Sequence, residues 1–169
     1  AGNSAFGAYA LDANTTGAAN QAFGYGTLGA NTTGQFNCAF GHSALIANTT
    51  ASNNTAVGYL ALTTNTTGTL NTAVGAYALD ANTTADNNSA FGYNALTANT
   101  TGTQNCAFGR SALGANTTAD NSSAYGYGAL SVSTGPDNTA VGSYAMTNNT
   151  TGAGNVAVGK GSVEDNTTG

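Results

Sequence analysis

Asn14, Asn31, Asn48, Asn65, Asn82, Asn99, Asn116, Asn149 and Asn166 each open the triplet Asn-Thr-Thr. Asn-x-Thr is the acceptor of an N-linked glycan when it lies on an accessible loop of a secreted chain. Nine acceptors in register would form a line of sugars along one exposed turn. Asn53, Asn87, Asn121 and Asn148 open further sequons and are weaker candidates outside that line. A purely structural reading stands beside the glycan reading: stacked asparagine amides bond to one another along a column. A sparsely charged surface favours a sugar coat, whereas a rung spacing of ~4.8 Å crowds neighbouring glycans.

Other candidate chemistry is sparse. His42 is the single histidine, and no Cys, Asp or Glu joins it at ligand spacing, so it reads as an exposed substitution in a variable position. No metal site, cofactor or enzymatic activity is expected. Cys38 and Cys106 occupy equivalent places four repeats apart. Four rungs at ~4.8 Å lie far beyond the ~7 Å limit for the Cα atoms of a disulfide. They are expected to be small buried thiols replacing Ser or Thr, with an interchain bridge as the other option. Asp12, Asp80 and Glu164 share one position and read as solvated surface.

These residues are placed by a 17-residue phrase, close to N-T-A-V-G-Y-x-A-L-x-A-N-T-T-G-x-x, written ten times. It opens at Asn3, Asn20, Asn37, Asn54, Asn71, Asn88, Asn105, Ser122, Asn138 and Asn155, and the step after Ser122 is one residue short. A fixed short period is the mark of a solenoid in which each repeat is one coil. The expected fold is therefore all-β: a β-solenoid, parallel β-helix or β-roll, of ten coils forming one array over residues 1–169.

Numbering the phrase from its first Asn defines seventeen slots. Slot 3 is always Ala and slot 5 always Gly, slot 4 is Phe, Val or Tyr, and slot 9 is Leu until Met146 and Val163. Side chains of a strand alternate between faces, which predicts slots 2, 4 and 9 toward the core. Small, β-branched and aromatic residues before an obligatory Gly favour strand over helix. Asn-Thr-Thr-Gly supplies a turn, because Asn and Gly tolerate left-handed backbone. Two short strands and two turns per coil are expected, with ten coils making a rod of roughly 48 Å.

Composition narrows the partners. Charged residues are 5% of the chain, the net charge is −5, and Arg110 and Lys160 are the only permanent cations. That leaves no basic footprint for nucleic acid or for an anionic membrane surface. No apolar run reaches the ~20 residues of a membrane span. No signal peptide opens the chain, so it reads as a mature form or an excerpt of a longer fibre.

A longer order overlies the phrase. Tyr25, Tyr59, Tyr93 and Tyr127 occupy slot 6, Tyr9, Tyr77 and Tyr144 occupy slot 7, and two repeats carry His42 or Arg110 instead. The texture recurs every 68 residues. Duplication of a four-coil block explains it, as does a twist that returns one face to the same neighbour.

The phrase N-[ST]-A-[FV]-G-x-x-A-L resembles the N-T-A-x-G repeats of bacterial and phage surface proteins across essentially the whole chain. It is more distantly similar to the S-V-A-I-G repeats of YadA-like adhesin heads, which form β-rolls, although the period differs and the N-T-T turn is absent there. The resemblance implies an extracellular fibre, shaft or adhesin head on a cell or virion surface. The expected function is a structural fibre that self-associates head to tail and carries, at most, covalent N-linked glycans. An adhesin or phage-fibre segment that binds a receptor or glycan through slots 6, 7 and 10 is the alternative. An ice-binding solenoid is a minor one, since adjacent Thr residues of N-T-T point to opposite faces. Reading across the ends, Asn166-Thr167-Thr168-Gly169 followed by Ala1-Gly2-Asn3 reproduces the string from Asn149 to Asn155, which predicts continuation in register.

Overall fold

The computed structural model describes residues 2–169; Ala1, which enters the junction between the ends, lies outside the described residues. The fold is the expected all-β solenoid. Ten three-residue strands, from β1 (Ser4–Phe6) through β5 (Thr72–Val74) to β10 (Val156–Val158), form one parallel sheet in strict sequence order. Slot pairs with slot: Thr72, Ala73 and Val74 lie opposite Ser89, Ala90 and Phe91. A parallel neighbour requires a crossover, and here the remaining fourteen residues of a 17-residue repeat carry the chain once around.

Two expectations are corrected. The first concerns the strand count, since among the described residues each coil holds one strand and not two. The cause is a run of left-handed residues beyond the strand. In coil five Gly75, Tyr77 and Leu79 have φ of 134°, 59° and 51°, and the same slots repeat this in the other coils. Alternating signs of φ turn the backbone at every second residue, so slots 5–12 pass through successive β-turns: Ala78 N–H donates to Gly75 at 3.3 Å and Asn82 N–H to Leu79 at 3.1 Å. A left-handed Leu costs on the order of 1–3 kcal/mol. Bonds to neighbouring coils hold it there, because Tyr77 N–H reaches back to Tyr59 at 3.0 Å and Leu79 N–H reaches forward to Ala95 at 3.0 Å. Gly at slot 5 is required by contact as well as by φ: a Cβ on Gly75 would stand 2.5 Å from the Gly92 carbonyl oxygen.

The second correction concerns which face is inside. Slot 9 is buried as expected, from Leu28 to Met146, but its companions are the alanines of slots 3 and 8 and not the large residues of slot 4. Ala73, Ala78 and Leu79 are fully buried, whereas Phe40, Val57, Phe108, Tyr125 and Val141 are exposed. Strand alternation is preserved with the opposite polarity. A coil this short encloses a cross-section that Leu at slot 9, two methyl groups and two asparagine side chains already occupy, so an aromatic ring at slot 4 finds room only outside.

Candidate functional site

The polar interior consists of two asparagine columns that meet on one carbonyl. In coil five the slot-1 residue Asn71 donates Nδ2–H to the Ala85 carbonyl at 2.7 Å and accepts the Asn88 N–H on Oδ1 at 2.9 Å. The slot-12 residue Asn82 donates to the same Ala85 carbonyl at 3.1 Å and to Asn65 Oδ1 at 2.9 Å. Its own Oδ1 accepts from Asn99 at 3.1 Å. Slot 1 thus links side chain to backbone from coil to coil, while slot 12 links amide to amide. A buried carbonyl needs a donor, and the slot-15 carbonyl at the Thr-Thr turn receives one from each column.

This geometry overturns the expectation that Asn-Thr-Thr presents its Asn on an exposed turn. Asn31, Asn48, Asn65, Asn82, Asn99, Asn116 and Asn149 are fully buried, and Asn14 and Asn166, in the first and last coils, are half-buried. A glycan would replace an Nδ2 proton that is already bonded and place a bulky sugar in a packed interior. In the folded array those seven side chains lie along the amide column. The weaker sequons have the accessible side chains: Asn53, Asn87 and Asn121 at slot 17 are exposed with φ near 60°, and Asn148 is half-buried with Nδ2 on Asp165. The three exposed ones recur every 34 residues, on alternate coils.

The threonines of the turn divide their work. Slot-13 hydroxyls donate to the slot-13 carbonyl of the next coil, as Thr32 does to Thr49 at 3.0 Å. Slot-14 threonines such as Thr33, Thr67 and Thr84 are exposed, which gives a single column of outward Thr. In coil eight, which begins at Ser122, slot 14 is the missing residue. Thr134 Oγ1 donates to Thr150 in slot-13 register, and Gly135 follows it directly at slot 15.

Outside the sheet two columns of rings run along the rod. At slot 4, Phe23 stacks on Phe40 at 4.7 Å, and Phe91, Phe108 and Tyr125 stack in series at 4.4 and 5.3 Å. At slots 6 and 7 the column is longer. Tyr9, Tyr25, His42, Tyr59, Tyr77 and Tyr93 follow one another with centroid separations of 5.5, 5.0, 5.5, 5.4 and 6.0 Å. The Arg110 guanidinium then lies 5.6 Å from both Tyr93 and Tyr127, and Tyr144 completes the series 5.0 Å from Tyr127. His42 is exposed as expected, and its ring is sandwiched between two tyrosines.

Electrostatics follow this stacking. Loss of solvent beside its neighbours, together with charge and a hydrogen bond from Tyr59, raises the Tyr77 phenol above its ordinary value. Hydrogen bonding to Tyr127 raises Tyr144, and hydrogen bonding to Cys106 raises Tyr125, whose hydroxyl is 3.3 Å from the sulfur. Cys38 and Cys106 are free thiols on the outward slot 2, half-buried and not interior as expected, and burial raises the Cys38 thiol. Of the slot-10 acids, Asp12 and Glu164 are exposed, and half-buried Asp80 accepts from Thr97 at 2.7 Å.

The aromatic column was legible in part. Every coil from the first to the ninth carries one Tyr, His or Arg in slots 6–7, and the tenth carries Lys160. That one-per-coil rule was the available signal; what it lacked was the knowledge that slots 6 and 7 project to one line. Among the described residues no helix is long and apolar enough to cross a membrane, and no three metal-ligating side chains converge. No protein-family model, no curated protein and no solved structure matches the chain.

Proposed function

We propose that the chain is a structural fibre segment, extracellular and without enzymatic activity, built by continuation of one solenoid coil upon the next. The observation that carries this reading is the equivalence of the coils. Backbone groups at slots 2, 5, 7, 9, 11, 13 and 17 bond to an adjacent coil, and the slot-1 column repeats the same bonds from Asn3 to Asn155, bridged by Ser122. A unit that contacts only its neighbours, in one direction, is suited to length and stiffness. Self-association head to tail uses the same bonds. The resemblance to N-T-A-x-G surface repeats supports the location. Electron microscopy of native material tests the proposal: unbranched fibres with an axial repeat near 4.8 Å are expected, and discrete globular particles would overturn it.

A glycan coat on this fibre belongs to slot 17. Glycopeptide spectra of native material should show sugar at Asn53, Asn87 or Asn121 and none at Asn65, Asn82 or Asn99; sugar on the second set would sink the ladder assignment. A second reading, an adhesin segment that contacts a receptor or glycan, is favoured by the exposed rings of Tyr25, Tyr59, Tyr93 and Tyr127. The single exposed Thr column gives an ice-binding surface less width than a two-Thr array.

A further inference from the structure

We propose that the slot 6–7 column is a site of oxidative tyrosine coupling, in which adjacent coils become joined covalently through dityrosine. Seven of the eight tyrosines stand in this one column, although slots 6 and 7 offer two places per coil. The pairs Tyr9–Tyr25, Tyr59–Tyr77 and Tyr127–Tyr144 sit edge to face at 5.5, 5.4 and 5.0 Å, with interplanar angles of 80°, 81° and 79°. Tyr77–Tyr93 repeats the arrangement at 6.0 Å and 88°. Edge-to-face packing at this distance brings the rim of one ring, where the carbons ortho to the phenol oxygen lie, against its neighbour. Six of the seven rings are exposed and Tyr77 is half-buried between two of them, so the column is open to a small oxidant.

The column is also divided. His42 separates Tyr25 from Tyr59, and Arg110 separates Tyr93 from Tyr127. The 68-residue texture therefore has a chemical consequence: it sorts the tyrosines into a first pair, a middle triplet and a last pair, within which alone the rings are neighbours. Tyr125, in the slot-4 column beside Phe108 and Cys106, belongs to none of them.

The co-reactant is a peroxide acting through a one-electron oxidant. Each of two phenols loses an electron and its hydroxyl proton, and the two phenoxyl radicals combine by a carbon–carbon bond between ortho positions. The ortho hydrogens then move to the oxygens as both rings recover aromaticity. Two hydrogens leave the protein, and one hydrogen peroxide becomes two waters. Because partners lie on successive coils, each bridge staples one coil to the next, whether or not the rod is part of a longer fibre.

Limited oxidation of the folded chain with peroxidase and hydrogen peroxide, or with a photo-oxidised ruthenium tris-bipyridine complex and persulfate, tests this. Dityrosine fluorescence should rise, and peptide mass spectra should show intrachain bridges, each two hydrogens lighter, for Tyr9–Tyr25, Tyr59–Tyr77, Tyr77–Tyr93 and Tyr127–Tyr144. Tyr77→Phe should abolish both middle bridges and leave the outer two. The same oxidation in denaturant should scatter the pairings. Bridges across His42 or Arg110 as abundant as those between neighbours, bridges only between chains, or no dityrosine at all would overturn the proposal.

Discussion

The two asparagine columns respond differently to the same substitution, and coil eight displays the difference. At slot 1, Ser122 replaces Asn. Its N–H still donates to Asn105 Oδ1 at 2.9 Å, and its hydroxyl oxygen accepts from Asn138 N–H at 3.3 Å. The Gly135 carbonyl, deprived of its own coil's slot-1 amide, receives Asn138 Nδ2 at 3.0 Å in addition to that amide's bond to Gly152. At slot 12, Ser133 replaces Asn, and Asn149 Nδ2 reaches its hydroxyl only at 3.4 Å. Asn116 Oδ1 turns instead to Ala119 N–H of its own coil. The unpartnered Asn149 Oδ1 faces the last coil and not Ser133, since Asn166 Nδ2 on that side donates to Gly169 at 2.7 Å. A column that hands its bond to a backbone N–H tolerates a short side chain, because every coil supplies that N–H. A column that hands its bond from amide to amide is interrupted by any residue lacking one.

The contrast between interior and rim gives the largest expected effect. Leu79 is fully buried and Asp80, its neighbour, half-buried. Leu79→Asp places an unpaired charge among methyl groups and should cost several kcal/mol in thermal or denaturant unfolding. Asp80→Ser serves as the paired control and should cost under about 1 kcal/mol. Equal effects would remove slot 9 from the core.

Next in size, Asn71→Ala orphans the buried Asn88 N–H and withdraws one of two donors from Ala85, a loss of about 1–3 kcal/mol. Asn71→Ser should recover part of it, as Ser122 does in coil eight. If Ser and Ala lower the denaturant midpoint equally, the tolerance ascribed to slot 1 is wrong. The smallest effect sharpens the comparison from the other side. Ser133→Asn restores an amide between Asn116 and Asn149 and should raise stability by about 0.5–1.5 kcal/mol. No change in midpoint would mean that the slot-12 links carry no net stability.

The period, the all-β class and the buried Leu column were legible, because repetition at seventeen residues leaves only a stacked coil as the place for an obligatory Gly and an obligatory Leu. The inward face of the strand is harder to read, for a reason that lies in the narrowness of the coil. Phe, Val and Tyr at slot 4 have the greater hydrophobic surface, yet slot 3, invariantly Ala, was the stronger clue: a position that accepts nothing larger than a methyl group is one where space is scarce. The N-T-T triplet was ambiguous in the same way, since a sequon and an amide ladder use identical residues.

Local chemistry settled what a single coil does: a short β segment that ends at an obligatory Gly, and a bend at the Thr-Thr step. Which side of that coil faces in, which Asn protons are spent, and which tyrosines meet depend on the coil above and below, at separations of one full repeat. Asn82 bonds Asn65 and Asn99, Leu79 is held left-handed by Ala95, and Tyr77 meets Tyr59 and Tyr93. None of these contacts is local in the chain, so propensity and alternation could not rank them. Closure of the coil confines the interior to the volume of one Leu, two Ala and two Asn per turn; that limit, which exists only once the chain has come round, sends the rings outward, while the slot-15 carbonyl draws the amides in.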